Sequence, residues 1–239
     1  MVDGHAAFLI PSPVSASTST RPWVWYAPTL PGLPASEEGW MFDRFLAAGI
    51  SIAGIDVGES YGSPTGRTLF TELHQAMTQS RGYSSRPVLL GRSRGGLMAL
   101  SWAEDHPHWV GGVAGIYPVC NLDSYPGLET SARAYGTNLD QFRLHLSEFN
   151  PVDRLASLAS AGVPIFAIHG DVDTLVPLEA NSGLLQQRYR TLHGTMEVVV
   201  ARGQGHNMWE GFFQCQALVD FVVTNSRPTT PSDGNKPKP

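Results

Sequence analysis

Long apolar runs are missing from this sequence. No stretch approaches the roughly 20 consecutive apolar residues that a membrane-spanning helix needs, so we expect no membrane span. The N-terminus also lacks a basic segment followed by a long apolar one, so no signal peptide is visible. On that ground we expect a cytoplasmic protein.

Basic charge and cysteine are both scarce. The 16 Lys and Arg residues are outnumbered by 21 Asp and Glu residues, which gives a formal net charge of −5 and no electrostatic reason to expect a nucleic-acid partner. Cys120 and Cys215 lie far apart, and the sequence leaves open whether they are free thiols or one disulfide. No His, Cys, Asp and Glu residues show the spacing of a metal site, so we expect neither a metal nor another cofactor.

Hydrophobic residues make up 42% of the 239 residues, which is enough for one sizeable core. We predict a single domain over residues 1–225. The tail at 226–239 is rich in Pro, Ser, Thr and Lys and has no large apolar residue, so we predict that it is disordered.

Short apolar segments alternate with helix-like segments along the chain. The predicted strands lie at 22–27, 50–55, 87–90, 110–117, 163–168 and 196–200, with one or two edge strands within 5–20. The predicted helices lie near 37–48, 67–81, 97–106, 152–160, 178–192 and 209–224. This alternation predicts an α/β protein with a mostly parallel sheet, helices on both faces and right-handed crossovers.

Residues 118–150 interrupt the alternation. They are rich in Gly, Pro, Asn and aromatic residues, with one helical patch near 139–149. We expect a lid-like insertion or pocket wall at the carboxyl edge of the sheet, where parallel α/β proteins bind their ligands.

The pattern Gly-x-Ser-x-Gly occurs as Gly91-Arg92-Ser93-Arg94-Gly95, between a predicted strand and a predicted helix. In this position the pattern predicts a sharp turn that exposes the serine hydroxyl as a nucleophile. The glycines leave room where strand and helix nearly touch. The backbone N–H of Arg94, at the start of the helix, is then directed at a developing oxyanion.

A serine nucleophile needs a base, and the base needs an orienting carboxylate. Asp171 and Asp173 follow the predicted strand at 163–168, and His206 follows the one at 196–200. Among the histidines, His206 is the one with a turn of small residues after a strand. The order serine, acid, histidine is that expected of α/β-hydrolases.

Three motifs together resemble the α/β-hydrolase superfamily over roughly residues 22–224, in the compact form of esterases, dienelactone hydrolases and prolyl-oligopeptidase catalytic domains. They are Gly91-x-Ser93-x-Gly95, His169-Gly170-x-x-Asp173-x-x-Val176-Pro177 and Gly203-x-Gly205-His206. The resemblance implies an α/β-hydrolase fold with Ser93 as nucleophile, Asp173 as acid and His206 as base. Asp171 stays open as the alternative acid and is expected to hold its turn in place.

The family usually supplies a second oxyanion donor from the turn after the strand at 22–27, often starting with His-Gly. This sequence has Pro28-Thr29 there, and Pro28 has no N–H to donate. Alignment of Leu30-Pro31-Gly32 with the common x-Pro-Gly continuation makes the N–H of Leu30 the expected donor. Thr29, through its N–H or its hydroxyl, is the alternative.

Aromatic and charged residues follow several of the predicted strands. The candidate substrate contacts are Trp209, Tyr61, Tyr117 and Tyr125. Arg94 is placed where it could bind a carboxylate or a polar sugar. We therefore expect a carboxylesterase that cleaves small or polar esters, including sugar-linked ones, through an acyl-enzyme on Ser93.

Three alternatives stay open. A serine peptidase of short peptides is one, although nothing in the sequence resembles the propeller of prolyl oligopeptidases. A lactonase of the dienelactone type is another, but that group typically has a cysteine nucleophile. The third is a catalytically inactive binding module, against which the intact Ser93, Asp173 and His206 argue. The sequence leaves the oligomeric state open.

Overall fold

The computed structural model describes residues 1–14 and 20–226. Within them one sheet is formed by β1 (Ala7–Ile10), β2 (Trp23–Ala27), β3 (Ser51–Ile55), β4 (Val88–Arg92), β5 (Gly112–Ile116), β6 (Ile165–Gly170) and β7 (Met196–Ala201). The strand order is β1-β3-β2-β4-β5-β6-β7. The predicted disordered tail lies outside the described residues, apart from Ser226.

Parallel pairing runs without interruption from β3 through β2, β4, β5 and β6 to β7. β1 pairs antiparallel with β3 at one edge of the sheet. The predicted mostly parallel sheet is therefore confirmed. All the parallel strands end at one edge, which brings the turns that follow them close together.

The α-helices of the described residues lie between these strands and, for the last two, after β7. They are α1 (Gly39–Ala47), α2 (Pro64–Arg81), α3 (Gly95–Asp105), α4 (Leu128–Ala134), α5 (Leu139–Leu144), α6 (Leu146–Phe149), α7 (Ala156–Ser160), α8 (Ser182–Thr191), α9 (Glu210–Phe213) and α10 (Gln216–Asn225). Helix α2 begins with Pro64, whose ring fits the first helical position. It ends at Gly82, which has a φ of 67° that favours glycine.

The structure divides the helix predicted at 209–224. Phe212 and Phe213 close α9 and are both buried against Tyr117. The chain then becomes extended at Cys215 before α10 begins. One predicted helix is therefore two in the structure.

The two faces of the sheet carry separate apolar cores because successive strand residues point to opposite sides. On β2, Trp23 and Trp25 pack with residues of α2, α3 and α8 on one face. Val24 and Tyr26 pack with residues of α1, α9 and α10 on the other. Helices therefore cover both faces, as the alternation predicts.

Residues 118–150 carry α4, α5 and α6 and form a third apolar cluster around Phe142, against Leu97 of α3. Buried asparagine side chains hold this segment in place. The Asn150 side chain accepts a hydrogen bond from the N–H of Leu122 at 2.9 Å. The Asn181 side chain accepts one from the N–H of Cys120 at 2.9 Å. The segment is thus fixed above the carboxyl edge of the sheet.

Among the described residues, no helix is both long and apolar enough to cross a membrane. Cys120 and Cys215 are free thiols, and Cys120 is buried.

The position of Leu90 in the middle of β4 predicts a large effect of truncation. Leu90 is fully buried, so Leu90→Ala should leave a cavity and lower the free energy of unfolding by about 2–5 kcal/mol in urea denaturation. Leu144, which is 72% exposed, provides the matched control. Leu144→Ala should change the free energy of unfolding by less than about 0.5 kcal/mol. Equal effects of the two substitutions would contradict this account of the core.

Candidate active site

Ser93 occupies a sharp turn between β4 and α3. Its φ is 51°, a left-handed conformation that residues with a side chain rarely adopt. Two backbone hydrogen bonds hold the turn: the Ser93 N–H donates to the Ile116 carbonyl at 3.0 Å, and the Val119 N–H donates to the Ser93 carbonyl at 2.8 Å. The strained backbone is therefore tied to β5 and the segment after it.

The glycines around Ser93 are required by close backbone contacts. A Cβ on Gly95 would overlap the carbonyl oxygen of Ala27, at the end of β2. A Cβ on Gly91 would lie 2.8 Å from the backbone nitrogen of Gly96. The first turn of α3 can thus approach β2 only where side chains are absent.

Ser93, His206 and Asp173 form a continuous hydrogen-bonded chain. Ser93 Oγ lies 2.9 Å from His206 Nε2. His206 Nδ1 lies 2.8 Å from Asp173 Oδ2. With hydrogen on Nδ1, the imidazole donates to the carboxylate and accepts from the serine hydroxyl. The structure therefore brings together the three residues singled out from sequence, from the turns after β4, β6 and β7.

Asp173 is 5% exposed but is well supplied with hydrogen-bond donors. Its Oδ1 accepts from the N–H groups of Leu175 at 3.0 Å and Val176 at 2.8 Å. Burial acts to raise the pKa of Asp173, but the nearby His169 side chain and the hydrogen bonds from Val176 and His206 outweigh it and lower the pKa to about 2. The carboxylate is therefore ionised at neutral pH.

His169 and Asp171 hold the turn around Asp173. His169 Nε2 lies 2.8 Å from the Val176 carbonyl oxygen and 3.6 Å from Asp173 Oδ2. Asp171 points away from the histidine chain, and its Oδ1 accepts from the N–H of Gly203 at 2.6 Å. Asp171 thus joins the turns after β6 and β7, while Asp173 faces His206.

The backbone N–H groups that follow Ser93, at the start of α3, differ in their hydrogen-bond partners. The N–H groups of Gly96 and Leu97 donate to the carbonyls of Ser93 and Arg94 at 2.9 and 3.2 Å. Among the described residues, the N–H of Arg94 has no such partner within the helix, because the first N–H groups of a helix lack one. It stays available to an oxygen beside Ser93.

The turn after β2 places the expected second donors differently. The N–H of Leu30 donates to the Leu33 carbonyl at 3.3 Å, and the Thr29 hydroxyl donates to the Tyr26 carbonyl at 3.4 Å. Both groups are therefore engaged within the turn. Pro28 and Leu33, rather than Leu30 or Thr29, line the cavity at Ser93.

Glu38 is a buried carboxylate that no motif in the sequence marks. Its Oε1 accepts from the Tyr26 hydroxyl at 2.6 Å and from Arg92 Nη1 at 2.8 Å, and its Oε2 accepts from the Ala35 N–H at 2.9 Å. Burial first, and the Glu38 carboxylate second, raise the pKa of Tyr26 well above its usual range. Glu38 therefore links the turn after β2 to the residue that precedes Ser93.

A cavity of about 250 Å³ opens above Ser93. It is lined by Pro28, Leu33, Arg92, Ser93, Arg94, Tyr117, Tyr125, Leu175, His206, Asn207 and Met208. Of the four aromatic residues expected to contact substrate, Tyr117 and Tyr125 line this cavity, whereas Tyr61 and Trp209 lie outside it. Tyr117 also packs on His206, with ring centroids 4.4 Å apart.

The described residues contain no group of three or more His, Cys, Asp and Glu side chains placed to hold a metal ion. At Ser93 the protein itself presents a hydroxyl, an imidazole, a carboxylate and backbone N–H donors.

A sequence model of the prolyl oligopeptidase family matches residues 70–223 of the chain. The match spans Ser93, Asp173 and His206 and ends within α10. A search of curated proteins gives no match.

Solved structures share the fold at low sequence identity. A puromycin-hydrolysing peptidase of Mycobacterium tuberculosis is 16% identical with a TM-score of 0.73, over 92% of this chain and 37% of that one. Dipeptidyl peptidase 4 of Porphyromonas gingivalis is 14% identical with a TM-score of 0.74, over 92% and 33%. An S-formylglutathione hydrolase of Agrobacterium tumefaciens is 17% identical with a TM-score of 0.67, over 93% and 88%.

This chain thus spans about a third of the length of the two peptidases that it resembles. The similarities confirm the α/β-hydrolase fold that the sequence motifs imply.

The contact of Gly95 with β2 predicts that Gly95→Ala is destabilising. The added methyl group must displace α3 or the end of β2, at about 1–3 kcal/mol in urea denaturation. Gly39→Ala is the control, because nothing lies within 4 Å of a Cβ at Gly39. Wild-type stability of Gly95→Ala would contradict the close contact.

Proposed function

This chain belongs to the prolyl oligopeptidase family, and on that premise we propose that it is a serine hydrolase with Ser93 as its nucleophile. The observation that carries the proposal is the chain of two hydrogen bonds, 2.9 Å from Ser93 to His206 and 2.8 Å from His206 to Asp173. A nucleophile within reach of a base, and a base oriented by a third group, is the arrangement that covalent catalysis requires.

In the first half of the reaction the Ser93 oxygen attacks the carbonyl carbon of the substrate while His206 Nε2 takes the hydroxyl proton. The buried Asp173 carboxylate stabilises the imidazolium that forms and holds hydrogen on Nδ1. The backbone N–H of Arg94 donates to the oxyanion of the tetrahedral intermediate. His206 then returns the proton to the leaving alcohol.

In the second half, a water molecule loses a proton to His206 and attacks the acyl carbon, which releases the acid and restores Ser93. The second oxyanion donor expected from the turn after β2, the Leu30 N–H or alternatively Thr29, stays a prediction, because neither residue lines the cavity at Ser93 and the Leu30 N–H donates to the Leu33 carbonyl at 3.3 Å.

We assign the substrate to small or polar carboxylic esters, including sugar-linked ones. Two features support this assignment. The cavity volume of about 250 Å³ suits a small acyl or alcohol group. Its lining mixes Tyr117 and Tyr125 with Arg92 and Arg94, and so does not offer the continuous apolar wall that a long acyl chain needs.

A second candidate activity is cleavage of short peptides. The family match favours it, and two of the similar structures are peptidases by name. The same residues would serve, since an amide and an ester pass through the same tetrahedral intermediate. The choice between esters and peptides therefore requires a comparison of their rates of hydrolysis.

The deciding experiment compares 4-nitrophenyl esters of increasing acyl length with aminoacyl and dipeptidyl 4-nitroanilides. We expect the highest kcat/KM for acetyl or other short esters. Ser93→Ala should lower it by about 10³-fold or more, with an unchanged circular dichroism spectrum. A folded Ser93→Ala protein with full activity would overturn the nucleophile, and faster cleavage of anilides than of esters would favour the peptidase.

The two aspartates after β6 provide a matched pair. Asp173→Asn should lower kcat by about 10⁴-fold, because an amide no longer selects the histidine tautomer that accepts the serine proton. Asp171→Asn should keep most of the activity, because its amide oxygen can still accept from the Gly203 N–H. Steady-state ester hydrolysis measures both. A larger loss of activity in Asp171→Asn than in Asp173→Asn would instead identify Asp171 as the acid.

A further inference from the structure

The charged residues in the described lining of the cavity above Ser93 are all of one sign. Arg92 and Arg94 lie on it, whereas none of its described lining residues is a carboxylate. The nearby acids face elsewhere. Asp173 is turned to His206, and Glu38 is fully buried against Arg92. Both charged residues among the described lining are therefore arginines.

The two arginines differ in how many of their guanidinium nitrogens already donate hydrogen bonds. Arg92 gives Nη1 to Glu38 and Nη2 to the sulfur of Met208, at 2.8 and 3.0 Å. Arg94 gives Nε to Glu59 at 2.6 Å, and its Nη1 and Nη2 make no hydrogen bond within the described residues. The Arg94 side chain is 25% exposed, so these donors are open to a ligand.

Glu59 sets the orientation of the two Arg94 amino groups that make no hydrogen bond. By accepting from Nε, it fixes the plane of the Arg94 guanidinium and leaves the two terminal amino groups free. Glu59 itself is 46% exposed and lies outside the cavity lining, so water screens its charge. A planar pair of N–H donors of this kind matches the two oxygens of a carboxylate.

We propose that the substrate carries a second carboxylate, remote from the scissile ester, and that Arg94 binds it through Nη1 and Nη2. The proposal rests on the proposed serine hydrolase and names its substrate class as anionic esters. In the reaction the acyl C–O bond breaks, water supplies the hydroxyl of the new acid, and the alcohol leaves with a proton from His206. The bound carboxylate is unchanged.

The test uses pairs of esters that differ only in charge. One pair carries the charge on the acyl side: 4-nitrophenyl hemiadipate and its methyl ester. The other carries it on the leaving group: 4-acetoxybenzoate and its methyl ester. We expect the anionic member of at least one pair to have the higher kcat/KM, and the pair that responds shows on which side of the ester Arg94 acts.

Arg94→Gln should then lower the ratio of anionic to neutral kcat/KM by about tenfold, because it removes a charge-assisted pair of hydrogen bonds. The backbone N–H of residue 94 is retained in this variant. Arg133→Gln is the matched control, since Arg133 is 70% exposed on α4, where its ion-pair partner is Glu129, and it should leave the ratio unchanged. Inhibition of neutral-ester hydrolysis by adipate should also weaken in Arg94→Gln but not in Arg133→Gln.

Failure of this proposal is distinct from failure of the serine hydrolase. If neutral esters are cleaved in a Ser93-dependent way while neither anionic ester is preferred, or while Arg94→Gln leaves the ratio unchanged, the carboxylate site is wrong and the hydrolase stands. If no ester or anilide shows Ser93-dependent cleavage, the hydrolase itself is overturned.

Discussion

The approach of the first turn of α3 to the end of β2 is the constraint on which the site depends. Gly95 lies against the Ala27 carbonyl, where no side chain fits. This contact forces the chain to turn within one residue, so Ser93 takes a φ of 51° and its hydroxyl stands above the sheet. Arg94, the residue between Ser93 and Gly95, lines the same cavity. The proposed nucleophile and the proposed oxyanion donor thus depend on one backbone geometry.

Much of the fold follows from the sequence because parallel α/β sheets have a simple pattern. The strands of the sheet interior are short, apolar and separated by helix signals, so their positions in the chain and their parallel pairing can be predicted. Element boundaries are less accessible. The helix predicted at 209–224 is divided at Gln214 and Cys215, directly after Phe212 and Phe213 pack on Tyr117, the residue that follows β5. Local periodicity carries no information on such a partner.

The candidate site likewise combines residues that a local sequence motif marks with residues whose role depends on contacts distant in the sequence. Ser93, Asp173 and His206 each stand in a turn with a local signature, and the structure brings them together. Glu38 has no such signature, because its role depends on Tyr26 and Arg92, which reach it only in the folded chain. The two Arg94 amino groups without a hydrogen bond cannot be predicted from the sequence either, because they depend on which Arg94 nitrogen donates to Glu59.

Covalent labelling tests the central claim, that the Ser93 hydroxyl is activated as a nucleophile by His206 and Asp173. The native protein is treated with a fluorophosphonate, digested and analysed by tandem mass spectrometry. If His206 and Asp173 activate Ser93, a single adduct forms, on Ser93; it is absent from Ser93→Ala and forms much more slowly in Asp173→Asn. A folded protein that is not labelled at Ser93, or is labelled equally fast without the Asp173 carboxylate, would contradict it.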